Sequence, residues 1–217
     1  MILTLRLAAV SLAAMTLSSA FALWNYAEDF SVGNGNPNSV WTYGVKGSDS
    51  PTGNFLAFPD HGSNSTWLYW IDNAHQLLGA PAATKNIGST SINGIAPGEG
   101  NMHPGPNGEV VTVRWTAPTS GVFRIFGMFG VGDGGAIDAF VGTPTSLILE
   151  HRATFDSVGF DFTRSLNAGD SIDFGVGSAG SFYYDSTPLH ASIEAVPEPL
   201  TLLGLGVGFA LMARRRR

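Results

Sequence analysis

Between Val110 and Phe129 the large apolar residues recur at every second position, not at every third or fourth, and that period commits the stretch to β-strands. Val111, Val113 and Trp115 would share one face, opposite Val110, Thr112 and Arg114. After the turn signal Ala117-Pro118-Thr119-Ser120-Gly121 the period resumes in Phe123, Ile125, Gly127 and Phe129. Further strands are expected over residues 137–141, 146–150, 158–164, 171–176 and 189–195. Turns at Gly142-Thr143-Pro144 and Asn167-Ala168-Gly169-Asp170 punctuate them. Strands spaced about 8–12 residues apart with such turns make a sandwich or a barrel. The first half is less regular, with strands expected over 41–45, 54–58 and 66–71, and Gly/Asn/Pro-rich loops over 33–38 and 94–108. No composition break divides the middle, so residues 23–195 read as one all-β domain.

Composition agrees. Only 13% of the residues are charged, against roughly 25% in an average soluble domain, too few for the outer faces of a helical bundle. Cysteine is absent, which removes disulfides, thiol chemistry and Cys-based metal centres. Five of the 11 basic residues and one of the 17 acidic ones fall in the terminal segments, leaving the middle at about −10. A nucleic-acid partner needs the opposite sign.

The two ends carry address signals. After Arg6, an apolar stretch from Leu7 to Leu17 leads to Ser18-Ser19-Ala20-Phe21-Ala22, an A-x-A site for signal peptidase. Residues 1–22 are therefore expected to be a signal peptide. At the other end, Val196-Pro197-Glu198-Pro199 precedes an apolar run over 200–213 and then Arg214, Arg215, Arg216 and Arg217. As a helix that run is about 21 Å long, short of the roughly 30 Å hydrocarbon core. It could span only with local thinning or snorkelling. The arginines are expected to stay cytoplasmic and act as a membrane stop.

Motif, short Gly-containing helix and basic end, in that order at the terminus, resemble a PEP-CTERM sorting tail over residues 196–217. The resemblance implies recognition by an exosortase, a membrane-embedded cysteine protease-transpeptidase that cleaves near Pro-Glu-Pro, in an envelope rich in extracellular polysaccharide. Contact with the membrane through the tail would be transient or permanent.

A second resemblance covers roughly residues 103–195. His103-Pro104-Gly105, Val113-Arg114-Trp115-Thr116-Ala117-Pro118-Thr119-Ser120-Gly121, Leu166-Asn167-Ala168-Gly169-Asp170-Ser171-Ile172-Asp173-Phe174 and Asp185-Ser186-Thr187-Pro188-Leu189 occur in that order. The string resembles secreted jelly-roll modules of the galactose-binding-like, carbohydrate-binding kind, and implies a jelly-roll β-sandwich. These phrases describe turns and core strands, so they speak for a fold more than for a ligand.

Catalytic motifs are mostly declined. Gly130-Val131-Gly132-Asp133-Gly134-Gly135 matches G-x-G-x-x-G, but a dinucleotide site needs a helix start directly after it, and a strand is expected there. The histidines at 61, 75, 103, 151 and 190 show no H-E-x-x-H, and Val176 occupies the first position of what would be a G-x-S-x-G elbow. Glu99, Glu109 and Glu150 are candidates for a glycosidase pair only if the fold brings carboxyl groups together. Asp133, Asp138, Asp173 and Asp185 fall near loops or strand ends and offer oxygen ligands for a structural calcium, with turn capping as the plainer reading.

Aromatic residues are the remaining candidates. Trp41 and Tyr43 would share a strand face, as would Trp67 and Tyr69, with Trp70 opposite. An exposed flat ring stacks on the C–H face of a sugar, whereas a buried one fills the core, and core filling is the favoured reading for both groups. The expectation is an exported, non-enzymatic, exosortase-sorted matrix or surface protein contacting polysaccharide. The alternatives are a polysaccharide-acting enzyme and a structural protein without a ligand.

Overall fold

The computed structural model describes residues 22–47 and 50–197. The expected signal-peptide core with Ala20, and the tail from Glu198 and Pro199 through Arg214, Arg215, Arg216 and Arg217, lie outside the described residues.

Fourteen strands and one helical turn follow in chain order: β1 (Leu23–Asn25), α1 (Tyr26–Asp29), β2 (Trp41–Lys46), β3 (Phe55–Ala57), β4 (Asp60–Ser63), β5 (Trp67–Ile71), β6 (Ala82–Asn86), β7 (Gly100–His103), β8 (Val110–Thr116), β9 (Gly121–Phe129), β10 (Ile137–Gly142), β11 (Leu147–Thr154), β12 (Val158–Leu166), β13 (Ser171–Gly177) and β14 (Thr187–Val196). They form two antiparallel sheets. The larger runs β12-β9-β14-β7-β6-β5-β4 with β1 also on β14, and the smaller runs β11-β10-β13-β8-β2-β3.

Strand order identifies the topology. β10 pairs with β11, β9 with β12, β8 with β13 and β7 with β14. These are the nested rungs of one long hairpin, rolled so that successive rungs fall in alternate sheets. The added pairs β9–β14 and β10–β13 close each sheet, giving the eight-stranded jelly roll. Strands β4–β6 widen the larger sheet beyond β7, and β2–β3 widen the smaller one beyond β8.

The two-residue period becomes the core. Val111, Val113 and Trp115 of β8, with Ile172, Phe174 and Val176 of β13, meet Phe123, Ile125 and Phe129 of β9 and Leu189, Ala191 and Ile193 of β14. Every one of these is buried, and each large one contributes about 1.5–3 kcal/mol relative to exposure. The Gly-rich motif over 130–135 joins β9 to β10, a strand, as expected. Both ends of the domain meet at one corner, where Leu23 pairs with Glu194 and the Ala195 amide donates to the Ala22 carbonyl.

Several expectations need correction. The segment 94–108 is not wholly loop, since it contains β7, which is inserted between β14 and β6. Strands β1, β4 and β6 and the turn α1 were not anticipated either. Asn, Gly, Ala and Lys make up most of β6 and β7, residues poor in strand propensity; neighbours on both sides hold these strands in the sheet. The last strand is longer than the expected 189–195, since β14 spans Thr187–Val196.

The outer face of the smaller sheet carries an ion cluster. Asp173 accepts from Arg114 Nε and Nη2 at 2.7 and 2.9 Å, and Lys46 Nζ lies 2.7 Å from its Oδ2. The Lys46 side chain is 1% exposed and also donates to the Pro51 carbonyl at 2.6 Å. Both carboxylate oxygens of Asp173 are thus engaged by cations of the chain.

Candidate functional site

A groove of ≈ 410 Å³ crosses the outer face of the larger sheet, over β5 and β6, added outside the rolled hairpin, and onto β7 at its edge. Its floor follows from strand alternation and register. Tyr69 of β5 stands opposite Thr84 of β6, which stands opposite Asn101 of β7. Ile71, Ala82 and His103 form the next row, and Trp67 extends the β5 side. The rim is polar and amide-rich, with Asn64, Asn73, Gln76 and Asn93.

Hydrogen bonds hold this surface in shape. Asn64 Oδ1 accepts from the amides of Thr66 and Trp67 and so fixes the β4–β5 turn, while Gln76 Oε1 accepts from Gly79. Asp60 and Asp72 accept from the amides of Asn73 and Ala74. His75 bonds to Asp72 at 2.7 Å, an interaction that holds the Asp72 carboxyl below its ordinary range. On the floor, Asn101 Nδ2 donates to Thr84 Oγ1 at 3.1 Å and Asn101 Oδ1 accepts from the Thr187 amide at 2.8 Å. His103 Nδ1 faces the Pro104 carbonyl at 2.9 Å. A carbonyl can only accept, so Nδ1 carries the proton in this contact.

The position of Tyr69 depends on a missing side chain. Gly62 of β4 lies directly opposite it, and a Cβ there would come within 2.4 Å of the Tyr69 hydroxyl and 2.6 Å of Cζ. The tyrosine ring therefore lies across Gly62.

The aromatic candidates divide between two environments. Trp67 and Tyr69 are half-buried and line the groove. Trp41, Tyr43 and Trp70 are not available to any ligand: they are 0%, 0% and 2% exposed, in the core between the sheets. Trp41 Nε1 donates to Asp29 at 3.0 Å and Trp70 Nε1 to the Ser31 carbonyl at 2.9 Å. The rings of Tyr43 and Trp70 stack at 5.9 Å, and burial raises the Tyr43 hydroxyl pKa well above its ordinary value.

The groove contains residues that the sequence did not nominate: Thr84, Asn101, Asn73 and Gln76, with His103 present but expected only as a loop residue. The available signal was the i, i+2 spacing of Asn101 and His103, too short a pattern to stand without its neighbours. Among the described residues, no Asp, Glu, Lys or Arg lines the groove. Glu99 instead contacts His190 at 3.2 Å and accepts from the Ala96 amide, Glu109 accepts from Asn107, and Glu150 pairs with Arg152 at 2.6 Å.

The acidic candidates lie elsewhere, where the β9–β10 and β13–β14 loops pack together. Asp133 Oδ1 accepts from the Ser186 amide at 2.9 Å. Asp138 is engaged by Arg152 Nη1 and by the Ala153 amide, each at 2.8 Å. Asp185 is 1% exposed, and among the described residues neither of its carboxylate oxygens has a hydrogen-bond partner. Burial, reinforced by the charges of Asp133 and Asp138, pushes its pKa up to about 8. Among the described residues, no three histidines or carboxylates converge into a metal-binding group.

No family model matches the chain and no curated protein resembles it. Solved structures with similar chains include a family 35 carbohydrate-binding module from Clostridium thermocellum, at 10% identity over 40% of this chain and 72% of that one, with a TM-score of 0.29. CBM51 from Clostridium perfringens GH95, in complex with methyl-galactose, matches at 11% identity over 64% and 95%, with a TM-score of 0.32. Pika GITRL matches as well, at 14% identity over 41% and 79%, with a TM-score of 0.31. At these TM-scores the likenesses carry no argument. The jelly roll rests on the strand pairing of this chain alone.

Proposed function

We propose that this protein is a non-catalytic glycan-binding jelly roll, exported by its N-terminal signal and sorted to the cell envelope or extracellular matrix by its C-terminal tail. The observation that carries the binding reading is the groove itself, with Trp67 and Tyr69 set on one outward face among amides and hydroxyls. An aromatic ring meets the apolar C–H face of a sugar while amide and hydroxyl groups meet its hydroxyls. The absence of charge in the lining favours a neutral polysaccharide. A glycosidase would need two carboxyl groups about 5–10 Å apart across the bound sugar, and the groove lining supplies none.

Affinity electrophoresis of the full chain through gels containing galactomannan, xyloglucan or laminarin, with alginate as the acidic control, tests the reading. Retardation by a neutral polymer, lost in Trp67→Ala, supports it. Equal mobility in every gel, and with the host's own extracellular polysaccharide, would leave a structural matrix protein without a saturable ligand. Sorting is tested separately by intact mass from the native host, where a species beginning at Leu23 and ending within Val196 to Pro199 is expected.

A further inference from the structure

The edge of the sandwich holds a second pocket, of ≈ 380 Å³, lined by none of the groove residues. One lip is the end of β12, the edge strand of the larger sheet, and the other is the β10–β11 turn of the smaller sheet. The turn from β12 to β13 closes it at the end.

Arg164 breaks the pattern of its strand. Alternation puts it in the inward row of β12 with Val158, Phe160 and Leu166, all buried, and opposite the buried Phe123 of β9. An apolar side chain there would extend the core, and proteins break such a pattern where a site requires it. The other arginines among the described residues are committed: Arg114 to Asp173, Arg124 to Asp161 and Glu194, Arg152 to Asp138 and Glu150. Arg164 alone has no carboxylate partner among the described residues, and it lines the pocket. Asp170 lines it as well. Its Oδ2 accepts from the amide and the Nδ2 of Asn167 at 2.8 and 3.3 Å, while no described group donates to its Oδ1. Two opposite charges thus border one cavity without pairing.

We propose that this pocket binds a sugar acid, with the carboxylate on the Arg164 guanidinium and a ring hydroxyl donating to Asp170 Oδ1. An unpaired cation and an unpaired acceptor at one space match a ligand that carries an anion and a donor side by side, as a hydroxy acid does. The planar guanidinium fork donates two parallel bonds to a carboxylate. Thr145 and Ser165 add hydroxyls to the lining. A neutral sugar would leave Arg164 unmet, and a bare anion would face the Asp170 charge. The middle of the chain carries about −10, which repels a dense polyanion. The pocket therefore suits an isolated acidic unit on an otherwise neutral chain.

Pocket and groove lie toward opposite ends of β14. Ser165 is level with Val196 through Val122, whereas the groove reaches Ser186, just before Thr187. Ten residues of β14 put roughly 30 Å between those ends, so one molecule can hold two saccharide segments at once. That consequence rests on the glycan reading of the groove; the pocket itself does not.

The test is saturation-transfer NMR of the full chain at about 0.15 M salt, with sodium galacturonate, galactose and sodium acetate as probes. Galacturonate is expected to bind. Galactose, which lacks the carboxylate, and acetate, which lacks the hydroxyls, should each bind about tenfold more weakly. Arg164 is exposed, and Arg164→Gln should keep the fold and weaken galacturonate binding about tenfold. Should that variant fail to fold, the comparison of galacturonate with galactose on the wild type decides. Galactose binding as well as galacturonate, acetate displacing galacturonate at equal concentration, or undiminished binding in Arg164→Gln overturns the site. Galacturonate binding lost in Trp67→Ala would place the ligand in the groove and overturn it too. The first three outcomes leave the groove's reading intact.

Discussion

Strand β5 places two tryptophans three residues apart on opposite faces of one sheet, so truncating each should produce opposite phenotypes. Trp70 is 2% exposed, stacks on Tyr43 at 5.9 Å, contacts the His61 ring at 4.7 Å and donates to the Ser31 carbonyl. Replacing a buried Trp by Ala costs about 3–5 kcal/mol in lost transfer energy and residual cavity. For a domain of this size that is a fall in Tm of roughly 6–20 °C. Trp67 is only half-buried, and Trp67→Ala should cost about 1 kcal/mol or less in stability. Its effect belongs to binding. A central aromatic anchor is worth about 2 kcal/mol, close to 30-fold in Kd. Thermal melts followed by circular dichroism, paired with titration against whichever neutral polysaccharide retards the wild type, read both quantities. If Trp67→Ala lowers Tm as far as Trp70→Ala, or leaves Kd unchanged while the fold persists, the division of faces does not carry the function assigned to it.

Two further outcomes follow from single contacts. Asp173→Asn removes the shared anion of a buried cluster and strands Lys46, at a cost of about 3–5 kcal/mol; Lys46→Met leaves Arg114 bidentate on Asp173 and should cost about 1.5–3 kcal/mol. Urea unfolding of the two variants measures the order, and a reversal would mean that Lys46 rather than Asp173 is the centre of the cluster. Gly62→Ala should swing the Tyr69 ring out of place, weakening glycan binding by about 1 kcal/mol, severalfold in Kd, while Tm moves by less than roughly 4 °C. Unchanged affinity in that variant would show that the ring's position over Gly62 does not matter to the ligand.

The second half of the fold was legible because β8, β9, β13 and β14 alternate between a core face and an outer one, and Trp115, Phe123 and Phe174 mark the inner side. The first half was not. In β7, Gly100, Asn101 and Met102 are all buried, so the strand has no exposed face to produce a period, and its composition reads as loop. β5 shows a different limit. Its alternation correctly placed Trp67 and Tyr69 together and Trp70 opposite, but apolar bulk on both faces hid which one faces the core. In β2 the same ambiguity made Trp41 and Tyr43 candidates for a platform, and the second sheet buries them. The partnerless state of Asp185 could not be read from the sequence at all, because it arises where two loops far apart in the chain dock against each other.

The site falls where it does for a topological reason. A rolled hairpin alone makes two four-stranded sheets whose inner faces cover each other, and it leaves little outer surface wide enough for a polymer. Here three strands that precede the hairpin add to the edge at β7, and the sheet grows past the roll. The inner face of that extension still closes the core through Trp70, Ala83 and Met102, so its backbone is held rigidly. Its outer face carries the groove, and alternation obliges every second residue of β5, β6 and β7 to point there. Two large rings, Trp67 and Tyr69, stand at such positions among amides, on a strand whose inward residues already do the packing. Their placement contributes less to the core than Trp70 does, which is why the groove, and not the better-buried aromatic cluster, is where a ligand has to be sought.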